Sequence, residues 1–397
     1  MPILDYQTAG ESHGPGLVTT ITGLPAGLVL DLDFINGELR RRQGGYGRGG
    51  RQKIETDTVE FLTGVRRGKT TGSPLTTFVK NKDSRLDDLE RTPPVYRPRP
   101  GHADLAGSVK WLTTDCRETL ERASARETAA RVAAGAIARC LLREFGIEGL
   151  GLVRRIFDAE TDVEVNAENW TQIREARDAS DTYCPDPAVS EKQREAIRQA
   201  KIDKDTVGGW VEAHYFNLPI GLGSCMDWRW KLDARIGAAV LGIQAFKGVE
   251  IGAGVRSATV RGSDLHDPIA YDASRTGEPS LGFMRSRNNA GGLEGGMTNG
   301  SPLVVRGTMK PIATLLQGLP SVNLNTKEEE QSQYERSDIS AVSAASVVME
   351  HAVGFELARA FCEKFGGDSM DQMRAHFDSW MEMARSLPLE PPEMTIA

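Results

Sequence analysis

The chain has 397 residues, a formal net charge of -7 and 39% hydrophobic residues. That length holds a large core and, taken alone, allows two or three domains. The acidic balance argues against general binding to nucleic acid or membrane surfaces, and no apolar run is long enough to span a bilayer. Met1-Pro2-Ile3-Leu4-Asp5 lacks the basic start and apolar stretch of a signal peptide. The five cysteines, Cys116, Cys140, Cys184, Cys225 and Cys362, are odd in number and form no Cys-x-x-Cys pair. Neither a disulfide framework nor a metal site is expected, and reduced thiols in a cytoplasmic protein are.

Along the chain, the first motif is Gly10-Glu11-Ser12-His13-Gly14. Glycines permit sharp turns and close ligand approach, and a histidine there can hand over a proton near neutral pH. The competing reading is a loop histidine with no chemistry. Gly16 to Gly23 predicts a strand, Leu24-Pro25-Ala26-Gly27 a turn, and Asp33 opens a helix ending in Arg40-Arg41-Arg42. The run Arg40 to Arg51, with glycines between arginines, suits a small anion with several charges. The alternative is an RNA-binding arginine–glycine loop.

Arg91 to Arg99 holds three prolines and predicts an extended loop, leading into Arg99-Pro100-Gly101-His102-Ala103-Asp104. Ser124 and Glu127 read as a capping box for a helix from Arg126 to Glu144, with Gly146 as its left-handed cap. Ser190 to Asp203 reads as a charged amphipathic helix with a solvated face. Val211 to Phe216 then predicts a strand, Leu218-Pro219-Ile220-Gly221 a turn, and Asp233 a helix through Ile236, Val240 and Ile243 capped at Gly248. The two series echo each other, which reads as a weak internal duplication.

Gly291-Gly292-Leu293-Glu294-Gly295-Gly296-Met297-Thr298-Asn299-Gly300 lacks the context of a dinucleotide or P-loop site. It reads as backbone that lies against a flat ring or phosphate, or as a mobile lid. Lys310-Pro311-Ile312-Ala313-Thr314 sets a cation and a hydroxyl around a rigid turn, suited to an anionic cofactor tail. Arg336-Ser337-Asp338 precedes a second helix of small apolar residues ending at Phe365-Gly366-Gly367. There Asp338 is either an N-cap or an ionised proton acceptor. Both small-residue helices are apolar on nearly every face, so they predict a buried helical layer between sheets, with amino ends open to anions.

The motifs Gly10 to Gly14, Arg122-Ala123-Ser124-Ala125-Arg126-Glu127-Thr128 and Arg336-Ser337-Asp338-Ile339-Ser340-Ala341-Val342 resemble the signatures of the chorismate synthase family. Arg41-Arg42-Gln43-Gly44-Gly45-Tyr46-Gly47-Arg48, Arg99 to Asp104 and Gly295 to Gly300 occur in the family's order. The resemblance runs from Tyr6 to about Gly366. It departs at Leu120-Glu121-Arg122-Ala123-Ser124-Ala125-Arg126, where the family often has Gly-Gly-Arg-Ser-Ser-Ala-Arg.

The resemblance implies an α/β fold, a β-α-β sandwich with a helical layer between antiparallel sheets. It implies one catalytic domain over 1–387, a Pro-rich tail over 388–397 and a homotetramer. The implied reaction converts 5-enolpyruvylshikimate 3-phosphate to chorismate and phosphate with reduced FMN and no net redox change. NADPH would be an indirect electron source, through an external flavin reductase. His13 would protonate the departing phosphate, His102 would sit near the flavin, and Asp338 would assist flavin-mediated proton removal. Ser12, Arg42, Arg48, Arg126 and Arg336 would bind substrate, Arg42 and Arg48 also being nicotinamide-nucleotide contacts in some members. FMN would touch Arg122, Ala123, Ser124, Gln244, Ala245, Gly295, Lys310, Pro311, Ile312, Ala313, Thr314 and Arg336. The competing functions are a flavin-dependent oxidoreductase with true hydride transfer and an RNA-associated protein.

Overall fold

The computed structural model describes residues 3–49, 56–333, 335 and 337–387; Gly50, Arg51, Arg336 and the tail 388–397 fall outside these. The described chain is built as two matching halves. In the first, β1 (Asp5–Ala9) and β2 (Gly16–Thr22) form a hairpin, followed by α1 (Leu32–Gln43), β3 (Glu60–Thr63), the short hairpin β4 (Val65–Arg66) and β5 (Lys69–Thr70), and β6 (Leu75–Lys80). The sheet order is β1-β2-β6-β3, all antiparallel. Short helices α2 (Asp104–Trp111) and α3 (Arg117–Ala123) then lead to the long α4 (Thr128–Arg143).

The second half repeats this order. It runs β7 (Glu148–Ile156) with a small edge strand β8 (Ala159–Glu160), then an insertion carrying α5 (Trp170–Asp178) and α6 (Pro187–Ile202), then β9 (Gly209–Phe216), α7 (Leu232–Leu241) and β10 (Phe246–Ile251). A second insertion holds α8 (Gly262–Leu265), β11 (Ile269–Tyr271) and β12 (Phe283–Arg285). The hairpin β13 (Leu293–Glu294) and β14 (Met297–Thr298) precedes β15 (Leu303–Met309), and a small hairpin of β16 (Pro320–Val322) and β17 (Glu329–Gln331) precedes α9 (Val342–Phe365). α10 (Met370–Arg385) closes the described chain. The sheet order β7-β9-β15-β10 matches β1-β2-β6-β3 position for position.

Hydrogen bonds make the duplication concrete. Thr70 Oγ1 donates to Pro25 O at 2.6 Å and accepts from Leu28 N at 3.0 Å. Thr298 Oγ1 donates to Pro219 O at 2.6 Å and accepts from Leu222 N at 2.8 Å. Each half therefore clips its Leu-Pro-x-Gly turn with a threonine from its short hairpin. This hairpin accounts for two glycines of the dense run. Gly295 and Gly296 are the two positive-φ residues of its tight turn, as Arg67 and Gly68 are in the first half.

The helical layer lies between the sheets: α4 packs on β2 and β6, α9 on β7 and β9, and the two helices on each other. Their small residues allow this. A Cβ on Gly135 would lie 2.4 Å from His351 Cβ, so the α4 and α9 backbones nearly touch. β2 buries Leu17, Thr19 and Ile21 by alternation, and the Thr19 hydroxyl is satisfied by Ala130 O at 3.0 Å. β7 is buried almost continuously, as expected of a strand covered on both faces. Within the layer Glu38, Glu350 and His351 meet, but the two carboxylates are paired with Arg41, Arg139 and Arg177. Burial there pushes the His351 imidazole down to about 4.

Several expected boundaries shift for local reasons. The α1 cap is Asp31, which accepts from Phe34 N at 2.9 Å, and Asp33 lies in the first turn. Likewise α7 starts at Leu232 with Asp233 in its first turn, and it ends at Leu241, before Ile243. The Ser124–Glu127 capping box is not formed. Ser124 Oγ accepts from Arg126 N at 3.3 Å to cap a 3-10 turn, while the Glu127 carboxylate takes Thr8, Arg131 and Gln244. Gly146 is left-handed as expected, but Gly248 is a strand residue at a register shift in β10. α6 starts at Pro187 on an Asp186 cap and buries Ser190, Gln193, Ile197 and Ala200 along one stripe. Among the described residues no helix is long and apolar enough to cross a membrane.

Candidate active site

The amino ends of α4 and α9 point into one cleft of about 720 Å³, and loops from both halves complete it. The first half supplies Ser12 and His13 between β1 and β2, Arg42 in the last turn of α1, Arg48 after it, the long loop after β6, and Ala123 to Arg126. The second half supplies Gln244 and Ala245 after α7, Met309 at the end of β15 with Lys310, Ile312, Ala313 and Thr314 beyond it, and Ser337 and Asp338 ahead of α9. Equivalent connections of the two halves thus face each other across the site.

Among the described residues the charge is strongly one-sided. Arg42, Arg48, Arg85, Arg91, Arg99, Arg117, Arg126 and Lys310 line the cleft against Asp83, Glu335 and Asp338. Behind the lining, the fully buried Asp57 bridges Arg42 at 2.5 Å and Arg126 at 2.7 Å. Burial raises the Asp57 pKa, but the two guanidinium groups outweigh it and hold the carboxyl below its usual range. Burial, with Arg126 and Arg48 nearby, pulls Arg42 down to about 10, so it still carries its charge at neutral pH. Buried cations in this excess form a receptor for anions.

Asn81 ties the parts together. Its amide nitrogen donates to Gly14 O at 2.8 Å and to the carbonyls of Ser12 and Glu11, while its oxygen accepts from Arg126 Nε at 2.8 Å. His13 is held by Glu121: its backbone N–H donates to Oε2 at 2.8 Å and its Nδ1 lies 2.9 Å from Oε1. Its Nε2 lies 3.5 Å from an Arg85 nitrogen. Ser124 Oγ reaches Ser12 Oγ at 3.2 Å. His102 Nδ1 meets the buried Asp104, which also binds Arg99 Nε at 2.8 Å; Arg99 continues to Thr314 Oγ1 at 2.8 Å. Burial raises the Asp104 pKa, but hydrogen bonds from His102 and Arg99 drive it well below the usual carboxylate range.

Asp338 is not an N-cap: α9 begins four residues later, with Ala341 at the cap position. Instead it binds Arg48 at 2.6 Å and the Gly49 N–H at 2.6 Å. Lys310 Nζ donates to Gly101 O at 2.7 Å, and burial with Lys247 nearby lowers its pKa. Gln244 donates to Glu127 at 2.9 Å, and its buried Oε1 has no partner among the described residues.

The cleft thus gathers Ser12, His13, Arg42, Arg48, His102, Ala123, Ser124, Arg126, Gln244, Ala245, Lys310, Ile312, Ala313, Thr314 and Asp338. Pro311 shapes the same turn without lining it. Arg122 and Gly295 are not in the lining. The exposed Arg122 guanidinium is bound to Thr8 O at 2.9 Å, and Gly295 belongs to the second-half hairpin turn. Arg336 lies outside the described residues. Sequence reading gave no role to Asp57, Asn81, Arg85, Arg99, Asp104, Arg117 or Glu121. Asp104, two residues past His102, was within reach of a local argument. Glu121 was not, since it meets His13 across 108 positions.

Residues 4–362 match the family model described as chorismate synthase. A chorismate synthase of Desulforamulus reducens is 48% identical over 394 residues, covering 97% of this chain and 100% of its own length. One from Symbiobacterium thermophilum is 49% identical over 391 residues, covering 95% and 98% respectively. A crystal structure of chorismate synthase superposes with a TM-score of 0.79 at 38% identity, over 97% of this chain and 99% of the other.

Proposed function

The chain belongs to the chorismate synthase family, and we propose that its cleft removes phosphate from 5-enolpyruvylshikimate 3-phosphate by anti 1,4-elimination, with reduced FMN bound beside the substrate. The observation that carries this reading is the cluster of buried arginines at the amino ends of two helices. A substrate with one phosphate and two carboxylates needs such a convergence of donors. Arg42, Arg48 and Arg126 bind it, and His13 is the acid at the departing phosphate. Arg85, beside His13 Nε2, is placed to share the phosphate charge.

The second-half wall suits a flavin. Ala245, Ile312 and Ala313 offer an apolar surface for a flat ring, and Lys310 and Thr314 a cation and a hydroxyl for its tail. The orphaned Gln244 Oε1 is an acceptor in need of an N–H donor. When bound, reduced FMN supplies electron density transiently to a difficult elimination. The protein's share is to orient both molecules, exclude water and move protons at His13 and Asp338. We further assign the chain one catalytic domain over 1–387, a cytoplasmic homotetramer, and an outside reductase drawing on NADPH. An oxidoreductase would consume one nicotinamide per product. The expected result is that phosphate released exceeds nicotinamide consumed many-fold in an anaerobic assay; a one-to-one ratio would favour the oxidoreductase.

A further inference from the structure

His13 is gripped by a single residue of α3. Glu121 accepts the His13 backbone N–H, faces its Nδ1 through the other oxygen, and through its own carbonyl accepts the Ser12 N–H at 3.2 Å. The Glu121 side chain is fully buried, and Arg117 lies 3.5 Å from the carboxylate. Burial raises its pKa, yet the hydrogen bonds and charge of His13 outweigh that and keep it ionised. A carboxylate at Nδ1 fixes a proton on that nitrogen and leaves Nε2 as the atom that turns to the cleft. Around Nε2 stand Arg85 at 3.5 Å and Asp83 at 3.8 Å. His102 repeats the arrangement on Asp104, but there the carboxylate also anchors Arg99, so Glu121 is the cleaner case.

From this geometry we infer that Glu121 is a positioning residue for the reaction, acting on the substrate only through His13. The inference rests on the proposed role of His13 as the acid. As the carbon–oxygen bond breaks, its electron pair leaves with the phosphate, and the Nε2 proton passes to a phosphate oxygen. Neutral His13 keeps its Nδ1 proton on Glu121 and is reprotonated at Nε2 from solvent. Glu121 stays ionised throughout and stabilises the charged imidazolium before the transfer.

A double-mutant cycle tests this. Glu121→Gln keeps the shape and an acceptor for the His13 N–H but removes the charge. It is expected to lower kcat about 10- to 100-fold, with KM changed less than about threefold. In a His13→Ala background the same change should cost less than about twofold, because its only route of action is gone. Glu121→Asp, which keeps a carboxylate, should retain more activity than Glu121→Gln, and this ranking stands even if one variant folds poorly. Equal losses in both backgrounds would overturn the inference, reducing Glu121 to a structural support. Full activity of Glu121→Gln beside an inactive His13→Ala would overturn it while sparing the role of His13. An active His13→Ala would overturn that role itself.

Discussion

Replacing His13 by alanine is expected to lower turnover roughly 100- to 10,000-fold while the enzyme still folds and binds FMN. The imidazole sits in a glycine-flanked loop whose backbone is held by Asn81 and Glu121 rather than by the ring. In the proposed reaction the ring contributes a proton at Nε2, the nitrogen that lies 3.5 Å from Arg85. Its loss leaves the Glu121 carboxylate with Arg117 as a remaining cation, a cost of about 1–3 kcal/mol. In a chain of this size that moves the melting temperature by only a few degrees. Turnover within about threefold of the parent enzyme would remove His13 from the chemistry.

Asp338→Asn should be nearly as damaging, at least about 100-fold in turnover, with near-normal melting temperature and retained FMN binding. Asparagine can still accept the Gly49 N–H through its one oxygen, which keeps the loop beside Arg48 anchored, while the amide nitrogen that replaces the other oxygen no longer accepts from Arg48. It cannot supply the carboxylate's basicity. Two measurements on one preparation, a melting curve and phosphate release, separate the outcomes. Full activity would limit Asp338 to holding Arg48 and Gly49.

The parts of the fold that obey local rules were legible in the sequence. The alternation of β2, the small-residue faces of α4 and α9 and the left-handed Gly146 all follow from residue type and spacing. Exact helix starts were not, because Asp31 and a 3-10 turn at Ala125–Glu127 compete with the expected caps. The duplication showed as a repeated series of strand, Leu-Pro-x-Gly turn and helix. Its cause, a threonine clip from Thr70 and Thr298, depends on hydrogen bonds spanning 45 and 79 positions. The glycine run was ambiguous for a related reason. Its glycines serve a tight turn and close packing, a demand that looks the same in sequence as a demand made by a ligand.

For the site, motifs that bundle several chemical groups within a few residues located most of the cleft. Residues that act through a distant partner stayed hidden: Asp57 matters only because Arg42 and Arg126 converge on it, and Glu121 only because His13 folds back onto α3.

The central claim is elimination of phosphate that depends on reduced FMN. It is tested most directly by phosphate release from 5-enolpyruvylshikimate 3-phosphate under strict anaerobiosis, with dithionite-reduced FMN, with oxidised FMN and with no flavin. Steady release with reduced FMN alone, the flavin ending as reduced as it began, is the expected result. Equal release with oxidised FMN or without flavin would contradict it.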